Sequence, residues 1–363
     1  MNIKPLLILL LSVLIFSCAT HQKQSNKIEL SFLDEYIIPL GEEFEGTPIG
    51  GLSGIDYVDD TYYLVVDEAK HPRYYKAEIS IENNVISEIN ITDVISLKND
   101  TFYKENALDL ESIIVDPISK NIVFTSEGKI RGKKNPLLFI TDNKGNFLKN
   151  IPIPERFLAT SDAKPVHNKT LESLSISTDN KGYWTAMELP LKIDGDQPKY
   201  LEADSPVRFT YFDKEKQKAT KEFVYQLSPI TKPFKGKFNL NGITDILEFK
   251  PNHFFVIERA YQSDYGAYGN TVRIYHAYAD KNTTNSLAIN SLKKTNYIPL
   301  KKELILDFDT IKSELTENII DNIEGITFGP ILPNGNKTLL FVADDNFQVY
   351  GKQLNQILLF EIK

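Results

Sequence analysis

The amino-acid sequence predicts an all-β fold: a β-propeller of about five four-stranded blades, or of six if two units are merged within residues 280–322. A short apolar–acidic signature recurs five times, at residues 51–55, 109–113, 170–174, 242–246 and 322–326. A second acidic segment follows each signature, at residues 65–68, 125–127, 186–188, 256–259 and 342–345. The signatures begin 58 to 80 residues apart, which suits blades with loops of variable length, and no useful helical periodicity appears after residue 27.

Each of the first four units divides into four short strands, where apolar and polar residues alternate between turn signals. The first two units predict strands at 54–58, 62–66, 74–79, 85–97, 112–115, 121–125, 137–141 and 147–151. The next two predict strands at 173–177, 182–186, 207–212, 220–227, 245–249, 254–257, 271–278 and 302–308. Turn residues such as Asp116-Pro117 separate these segments, as expected for tight connections between antiparallel strands.

The fifth unit lacks one strand. It predicts strands at 325–329, 339–342 and 356–362, while one unassigned apolar segment remains at residues 28–38. In propellers a terminal strand often completes the last blade and closes the ring, which buries the edges that an open array would expose. The sequence therefore predicts a single propeller domain over residues 28–363, closed by its N-terminal strand.

The acidic residues of the repeat are expected to converge. The signature lies at the start of the first strand of a unit and its acidic partner at the end of the second, so both lie at one edge of an antiparallel hairpin. If the first strands line the central channel, all five pairs meet at one mouth. The candidate metal ligands there are Asp67, Glu111, Glu127, Glu172, Glu188, Glu258, Asp344 and Asp345, and Glu68 and Glu324 belong to the same set.

Many carboxylates at one mouth repel one another, so either their pKa values rise or a cation compensates their charge. An oxygen-rich site of this kind suits calcium, whereas zinc is disfavoured because the five histidines show no ligand spacing. For any one acid, a solvated rim position or a hydrogen bond to a loop amide is the alternative. The recurrence at two matched positions favours a shared functional mouth, with calcium as the expected cofactor.

Basic residues follow some of the acidic segments closely. Arg259 directly follows Glu258, and Arg73 lies shortly after Asp67. Arginine beside a metal cluster is suited to receive an anionic ester, especially a phosphate. Arg259, Arg73 and Glu324 are therefore the candidate catalytic residues. Ion pairs with neighbouring carboxylates are the alternative role for both arginines.

The N-terminal segment is expected to be a targeting signal rather than part of the fold. Lys4 precedes an apolar run that continues to Phe16, and Cys18 is the only cysteine of the chain. Residues 1–17 resemble a bacterial lipoprotein signal peptide, with Cys18 as the lipidated residue and residues 18–27 as a polar tether. An uncleaved membrane anchor is the alternative, although the run is shorter than the roughly 20 residues of a span. The expected location is the bacterial cell envelope, at the outer membrane, with the periplasmic and surface sides both open.

These motifs resemble the phytase-like domain family, also called "esterase-like activity of phytase". The resemblance rests on residues 51–57, on 109–113 with 126–128, on 245–247 with 257–259, and most strongly on 322–330 with 344–347. It covers roughly residues 45–363. The family implies a β-propeller that hydrolyses esters or phosphoesters, and it is distinct from the calcium-dependent alkaline phytases. The third residue of the signature is glutamate in three units, but Ser53 and Thr244 take its place in the other two. These two residues either lie on the substrate side of the mouth or result from evolutionary drift without a functional role.

We therefore expect a lipid-anchored propeller that hydrolyses a small anionic ester or phosphoester with the help of calcium. The net charge of -8 argues against a nucleic-acid partner. We expect a monomer whose contact with the membrane is its lipid anchor. Two alternatives stay open: a non-catalytic propeller that recognises a glycan, a peptide or an envelope partner, and a lactonase-type propeller.

Overall fold

The computed structural model describes residues 28–97 and 100–363, so the predicted signal peptide, Cys18 and the tether lie outside the described residues. The described chain folds into five four-stranded antiparallel sheets arranged as propeller blades, which confirms the predicted architecture. Its one α-helix in these residues is α1 (Thr101–Glu105). None of the described helices is long and apolar enough to cross a membrane.

The strands follow one another in four complete blades and one shared blade. β1 (Leu30–Ile38) is followed by a small hairpin of β2 (Glu43–Phe44) and β3 (Thr47–Pro48). Blade 1 comprises β4 (Leu52–Val58), β5 (Thr61–Val66), β6 (Arg73–Glu82) and β7 (Val85–Ser96). Blade 2 comprises β8 (Leu110–Val115), β9 (Ile122–Ser126), β10 (Leu137–Thr141) and β11 (Phe147–Ile151). Blade 3 comprises β12 (Leu171–Ile176), β13 (Gly182–Met187), β14 (Pro206–Asp213) and β15 (Lys218–Gln226).

Blade 4 comprises β16 (Asn239–Lys250), β17 (His253–Gln262), β18 (Asn270–Tyr278) and β19 (Lys301–Asp307). Blade 5 comprises β20 (Ile323–Phe328), β21 (Thr338–Ala343) and β22 (Asn355–Ile362), together with β1. Short 3₁₀ turns lie at Ile130–Gly132, Glu155–Phe157, Gly266–Tyr268, Leu292–Lys294, Phe308–Thr310, Lys312–Glu314, Thr316–Asn318 and Asn346–Gln348. The stretch 280–322 contains β19 and such turns but no sixth sheet, so the blade count is five.

The N-terminal strand closes the ring. β1 pairs antiparallel with β22, with Leu30 opposite Ile362 and Ile38 opposite Asn355. The sheet of blade 5 therefore runs in the order β1, β22, β21, β20 and joins the two ends of the described chain. This closure was predicted from the strand that blade 5 lacks, and it leaves no blade incomplete.

Each of the five interfaces between neighbouring blades has its own apolar core. The core between blades 4 and 5, for example, contains Ile257, Phe341 and Phe360, none of them more than marginally exposed. Similar cores lie between blades 5 and 1, 1 and 2, 2 and 3, and 3 and 4. Because both faces of a blade are covered, inner strands such as β8 are buried along their whole length.

The first strands of the blades, β4, β8, β12, β16 and β20, form the inner ring, and each contacts the next. Two aspartates, the half-buried Asp56 and the buried Asp245, accept hydrogen bonds from backbone amides of neighbouring inner strands. Asp56 of β4 accepts a hydrogen bond from the amide of Val115 in β8, at 2.7 Å. Asp245 of β16 accepts from the amide of Ile326 in β20, at 3.0 Å. These hydrogen bonds tie neighbouring inner strands to one another.

Candidate functional site

A β-bulge in the first strand of every blade presents the signature residue. In blade 1, Leu52 lies opposite Val66 and Gly54 opposite Val65, which leaves Ser53 as the extra residue. The same irregularity occurs in the other four blades. The five signature residues, defined as the third of each motif, are Ser53, Glu111, Glu172, Thr244 and Glu324. Bulges re-aim side chains and are frequent at the rims of barrels and beside active sites.

The second acidic segment contributes one partner residue per blade, fixed by its backbone register. In four blades its amide donates to the carbonyl of the residue two places before the signature residue, over 2.8 to 2.9 Å. These four partner residues are Asp67, Glu127, Glu188 and Asp344. In blade 4 the residue opposite Gly242, two places before Thr244, is Arg259. Arg259 is therefore the fifth partner residue, and an arginine replaces the acid.

The partner residue of one blade lies beside the signature residue of the next blade. We call this contact a joint and label it by its two blades, so that joint 1/2 lies between blades 1 and 2. At joint 1/2 the carboxylates of Asp67, Asp109 and Glu111 offer oxygens that all lie within 4.8 Å of one another. At joint 2/3 the same holds for Glu111, Glu127 and Glu172. The structure therefore brings these predicted residues together, and Glu111 belongs to both groups.

Two positively charged side chains occupy the far side of the mouth. Arg259 Nη1 lies 3.2 Å from Glu324 Oε1 at joint 4/5, and Arg259 Nη2 lies 3.6 Å from Glu188 Oε1. Lys169, from the loop before β12, places Nζ 2.8 Å from Glu188 Oε2 at joint 3/4. The mouth cluster consists of Asp67, Asp109, Glu111, Glu127, Lys169, Glu172, Glu188, Arg259, Glu324 and Asp344. Its eight carboxylates outnumber its two cations, so its formal charge is strongly negative.

The two signature residues that are not acidic have a structural role. Ser53 Oγ donates a hydrogen bond to the carbonyl of Leu110 in β8, at 3.0 Å. Thr244 Oγ1 donates to the carbonyl of Ile323 in β20, also at 3.0 Å. Both hydroxyls therefore bind the neighbouring inner strand at the same place in the repeat. These two hydrogen bonds give the non-acidic signature residues a role in packing neighbouring blades.

Burial and mutual repulsion perturb the acids of the mouth cluster. Burial, followed by the charges of neighbouring carboxylates, raises the pKa values of Glu111 and Glu172 well above their usual range. Burial raises the pKa of Glu127 to about 7, although Lys169 and the amide of Thr170 oppose the shift. Burial and the charges of nearby acids also raise the pKa of Asp344. The cluster is therefore more stable when some of its carboxyl groups are protonated or bind a cation than when all of them are ionised and unpaired.

Glu258 does not belong to the mouth cluster, which corrects its prediction as a metal ligand there. It lies one residue before the partner position, and alternation along β17 turns it to the opposite face. Its carboxylate accepts hydrogen bonds from Tyr225 Oη at 2.6 Å and from the amide of Ser228 at 3.0 Å. Lys302 Nζ lies 2.6 Å from Oε1, and Asn241 Nδ2 donates to Oε2 at 3.0 Å. Glu258 is a buried structural acid between blades 3 and 4.

Arg73 and Asp345 also lie outside the mouth cluster, because local partners hold both. The guanidinium of Arg73 donates to Glu68 Oε2 and to the carbonyls of His71 and Pro48, so it is bound in blade 1. Asp345 Oδ1 accepts from the amide of Gly51 at 2.8 Å and from the amide of Phe347 at 3.1 Å, and the second bond fixes the turn at the end of β21. Arg73 is thus not positioned to orient an anion in the mouth.

Two members of the cluster were missed by the sequence reasoning. Asp109 is the first residue of the second signature, and its acidity at that position was the available signal. Lys169 directly precedes the third signature, but it lies in a loop whose path the sequence does not predict. Near these residues, His167 has a pKa lowered by burial and by the charge of Arg131. Lys129 and Lys169 lower this pKa further, whereas the charge of Asp109 raises it.

A protein-family model described as "Phytase-like: Esterase-like activity of phytase" matches residues 47–347. This range includes all five signature residues and all five partner residues. A search of curated proteins finds no match to the chain.

Several solved structures are similar in overall arrangement. A thermostable family-43 glycoside hydrolase is 12% identical with a TM-score of 0.48, and the match covers 90% of this chain and 91% of that one. An exo-β-1,3-galactanase from Phanerochaete chrysosporium is 11% identical, with a TM-score of 0.47 and coverages of 90% and 64%. The allergen Mala s 1 of Malassezia sympodialis is 12% identical, with a TM-score of 0.42 and coverages of 90% and 82%. This chain spans less than two thirds of the galactanase. Similarity at this level carries no argument about activity.

Proposed function

The chain belongs to the phytase-like family, and on this premise we propose that it hydrolyses ester or phosphoester bonds at the mouth cluster with the help of a bound cation. The observation that carries the proposal is the meeting of Glu111, Glu127 and Glu172, whose oxygens lie within 4.8 Å of one another. Three buried carboxylates at this separation are unstable as free anions, so the site is built to hold positive charge.

The residues at joints 1/2 and 2/3 fit calcium. All of them offer carboxylate oxygens, the ligands that this hard cation prefers, and both joints lack histidine and thiolate ligands among the described residues. Glu172 is only 5% exposed, and its Oε2 has no hydrogen-bond partner among the described residues, so it has a free ligand position. Calcium held there would supply the positive charge that polarises an ester and acidifies a water molecule.

The other residues of the mouth have distinct roles in this proposal. Burial raises the pKa of Glu324, which suits it to take a proton from the attacking water. Arg259 holds Glu324 in place through their ion pair and so acts as a positioning residue. Lys129 and Arg131, whose charges lower the pKa of His167, are the basic residues proposed to attract an anionic substrate. They replace Arg73 in the role of orienting the anion.

A substrate screen with and without cation tests the proposal. The full chain, purified in detergent, is assayed on p-nitrophenyl phosphate, p-nitrophenyl acetate, phytate and lactones with CaCl₂ or EDTA. We expect calcium-dependent turnover of at least one substrate, and loss of it in Glu324→Gln, with circular dichroism confirming that the variant is folded. Glu78→Gln, an exposed acid of β6, is the matched control. No calcium-dependent turnover on any of them would refute the hydrolase. Calcium binding without turnover would instead favour a non-catalytic binding propeller.

We also propose that the protein is anchored to the bacterial cell envelope through a lipid on Cys18. Support comes from the sequence alone, since this segment lies outside the described residues. Labelling cells with a radioactive fatty acid should mark the wild-type chain, and Cys18→Ser should abolish the label and release the protein from the membrane fraction. An unlabelled wild-type chain would contradict the anchor.

A further inference from the structure

We infer that the mouth holds two divalent cations, one at joint 1/2 and one at joint 2/3, with Glu111 shared between them. This inference rests on the proposed cation site and adds its number, its position and its bridging residue. The two carboxylate groups at these joints overlap in one residue only, since Asp67 and Asp109 belong to the first group and Glu127 and Glu172 to the second.

Comparison of the joints shows where cations are needed. The same two positions, a partner residue and the next signature residue, recur at all five. Joint 4/5 contains Arg259 and Glu324, so the chain supplies its own cation there. At joint 3/4 the signature residue is Thr244, and Lys169 balances Glu188. At joint 5/1 the signature residue is Ser53, which is uncharged.

Joints 1/2 and 2/3 are different, because acids occupy both positions and neither Arg259 nor Lys169 forms an ion pair with them. Asp67 meets Glu111 at the first, and Glu127 meets Glu172 at the second. The inner strands keep the same geometry around the ring. A bound cation at these two joints would therefore supply the positive charge that the guanidinium of Arg259 supplies at joint 4/5. Two acid–acid joints therefore predict two cations.

A second observation points to a ligand at joint 2/3. Glu172 Oε2 is buried and has no hydrogen-bond partner among the described residues, although the opposite acid Glu127 is fixed by the amide of Thr170. A buried carboxylate oxygen that lacks a donor is costly unless something binds it. The oxygen atoms that bind calcium lie 2.3–2.6 Å from the ion, so two ligand oxygens on opposite sides of it are up to about 5 Å apart. The carboxylate oxygens at this joint lie within 4.8 Å of one another and therefore fit around one calcium ion.

The two sites differ in their access to solvent. Asp67 and Asp109 are partly exposed, whereas Glu111, Glu127 and Glu172 are all buried. The cation at joint 1/2 is therefore the one that a substrate can reach. The cation at joint 2/3 is enclosed and is expected to exchange more slowly with chelators.

Calorimetric titration of the EDTA-treated full chain with CaCl₂ tests the inference. We expect two calcium ions per wild-type chain and two for the control Glu78→Gln. Asp67→Asn and Glu127→Gln should each bind one, and Glu111→Gln should bind none. In EDTA the Glu111→Gln variant should melt several degrees above the wild type, because repulsion is relieved, and calcium should raise its melting temperature no further. This second readout shows that the variant is folded.

The outcomes separate the inference from the proposed function. One calcium ion per wild-type chain, or two in Glu111→Gln, would overturn the bridged pair and leave cation-dependent hydrolysis intact. No calcium binding, with turnover unaffected by EDTA, would overturn both. Slow loss of one ion and rapid loss of the other on mixing with EDTA would support the assignment of an enclosed and an open site.

Discussion

Arg259 of blade 4 forms an ion pair with Glu324 of blade 5, with Arg259 Nη1 3.2 Å from Glu324 Oε1. Arg259 stands at the partner position, which the other four blades fill with an acid, and Glu324 is one of the three acidic signature residues. The pair shows how one joint is neutralised from within the chain. The mouth therefore has one side whose carboxylates pair with Arg259 or Lys169 and another side whose carboxylates form no ion pair with either cation.

Replacing Arg259 by methionine should destabilise the fold when no cation is present. The change leaves Glu188 and Glu324 buried without their shared counter-charge, and loss of one partner of a buried ion pair costs about 3–5 kcal/mol. Urea denaturation in EDTA measures the loss, and calcium should recover part of it. Lys301→Met, which removes an exposed ion pair with Asp280, should show no measurable change. A loss below about 1 kcal/mol for Arg259→Met would contradict the account.

Replacing Lys169 by methionine should strengthen calcium binding. Removing one positive charge within several ångströms of the carboxylates is worth about 1–2 kcal/mol at the effective dielectric of a protein surface, or roughly tenfold in affinity. Calorimetric titration at fixed ionic strength measures the change. Equal or weaker binding in the variant would show that Lys169 does not act on the cation sites.

Replacing Glu258 by glutamine should reduce stability and leave cation binding unchanged. The carboxylate holds Lys302 and Tyr225 in a buried network, so its neutralisation should lower the free energy of unfolding by about 2–4 kcal/mol. The number of bound calcium ions should stay at two. A fall in that number would restore Glu258 to the mouth and contradict its placement in β17.

Replacing Asp56 by asparagine should remove part of the pH dependence of stability. Burial raises the pKa of Asp56 from 3.8 to about 6, so the folded state prefers the protonated form. The stability contributed by this group is fully present below its unfolded pKa and is lost as the pH rises through about 6. Asparagine keeps an acceptor for the amide of Val115 and cannot ionise.

The Asp56→Asn variant should therefore exceed the wild type in free energy of unfolding by up to about 3 kcal/mol above pH ~7, and the difference should vanish near pH ~4. Urea denaturation in EDTA across this range measures it. A difference that is independent of pH, or greatest in acid, would contradict the raised pKa.

The sequence was sufficient for the architecture because the repeat carries its own markers. Five signatures gave five blades, and the unpaired segment that became β1 gave the closure. Strand lengths were predicted less well. β16 begins at Asn239, six residues before the predicted start, because Gly242 interrupts the apolar pattern although it pairs with Arg259.

The site was harder to predict, for reasons of register. Glu258 and Arg259 are adjacent, and alternation along β17 places them on opposite faces. Which of them faces the mouth depends on the bulge at Thr244, and the spacing from signature residue to partner residue varies from 14 to 20 residues around the ring. Lys169 was not predictable, because a loop carries it into the cluster from outside the repeat.

Anomalous diffraction from crystals grown in calcium or in a lanthanide tests the central claim most directly. The account predicts two peaks in the mouth, one among Asp67, Asp109 and Glu111 and one among Glu111, Glu127 and Glu172, with none beside Arg259. A mouth without peaks, or a single peak between Arg259 and Glu324, would contradict it.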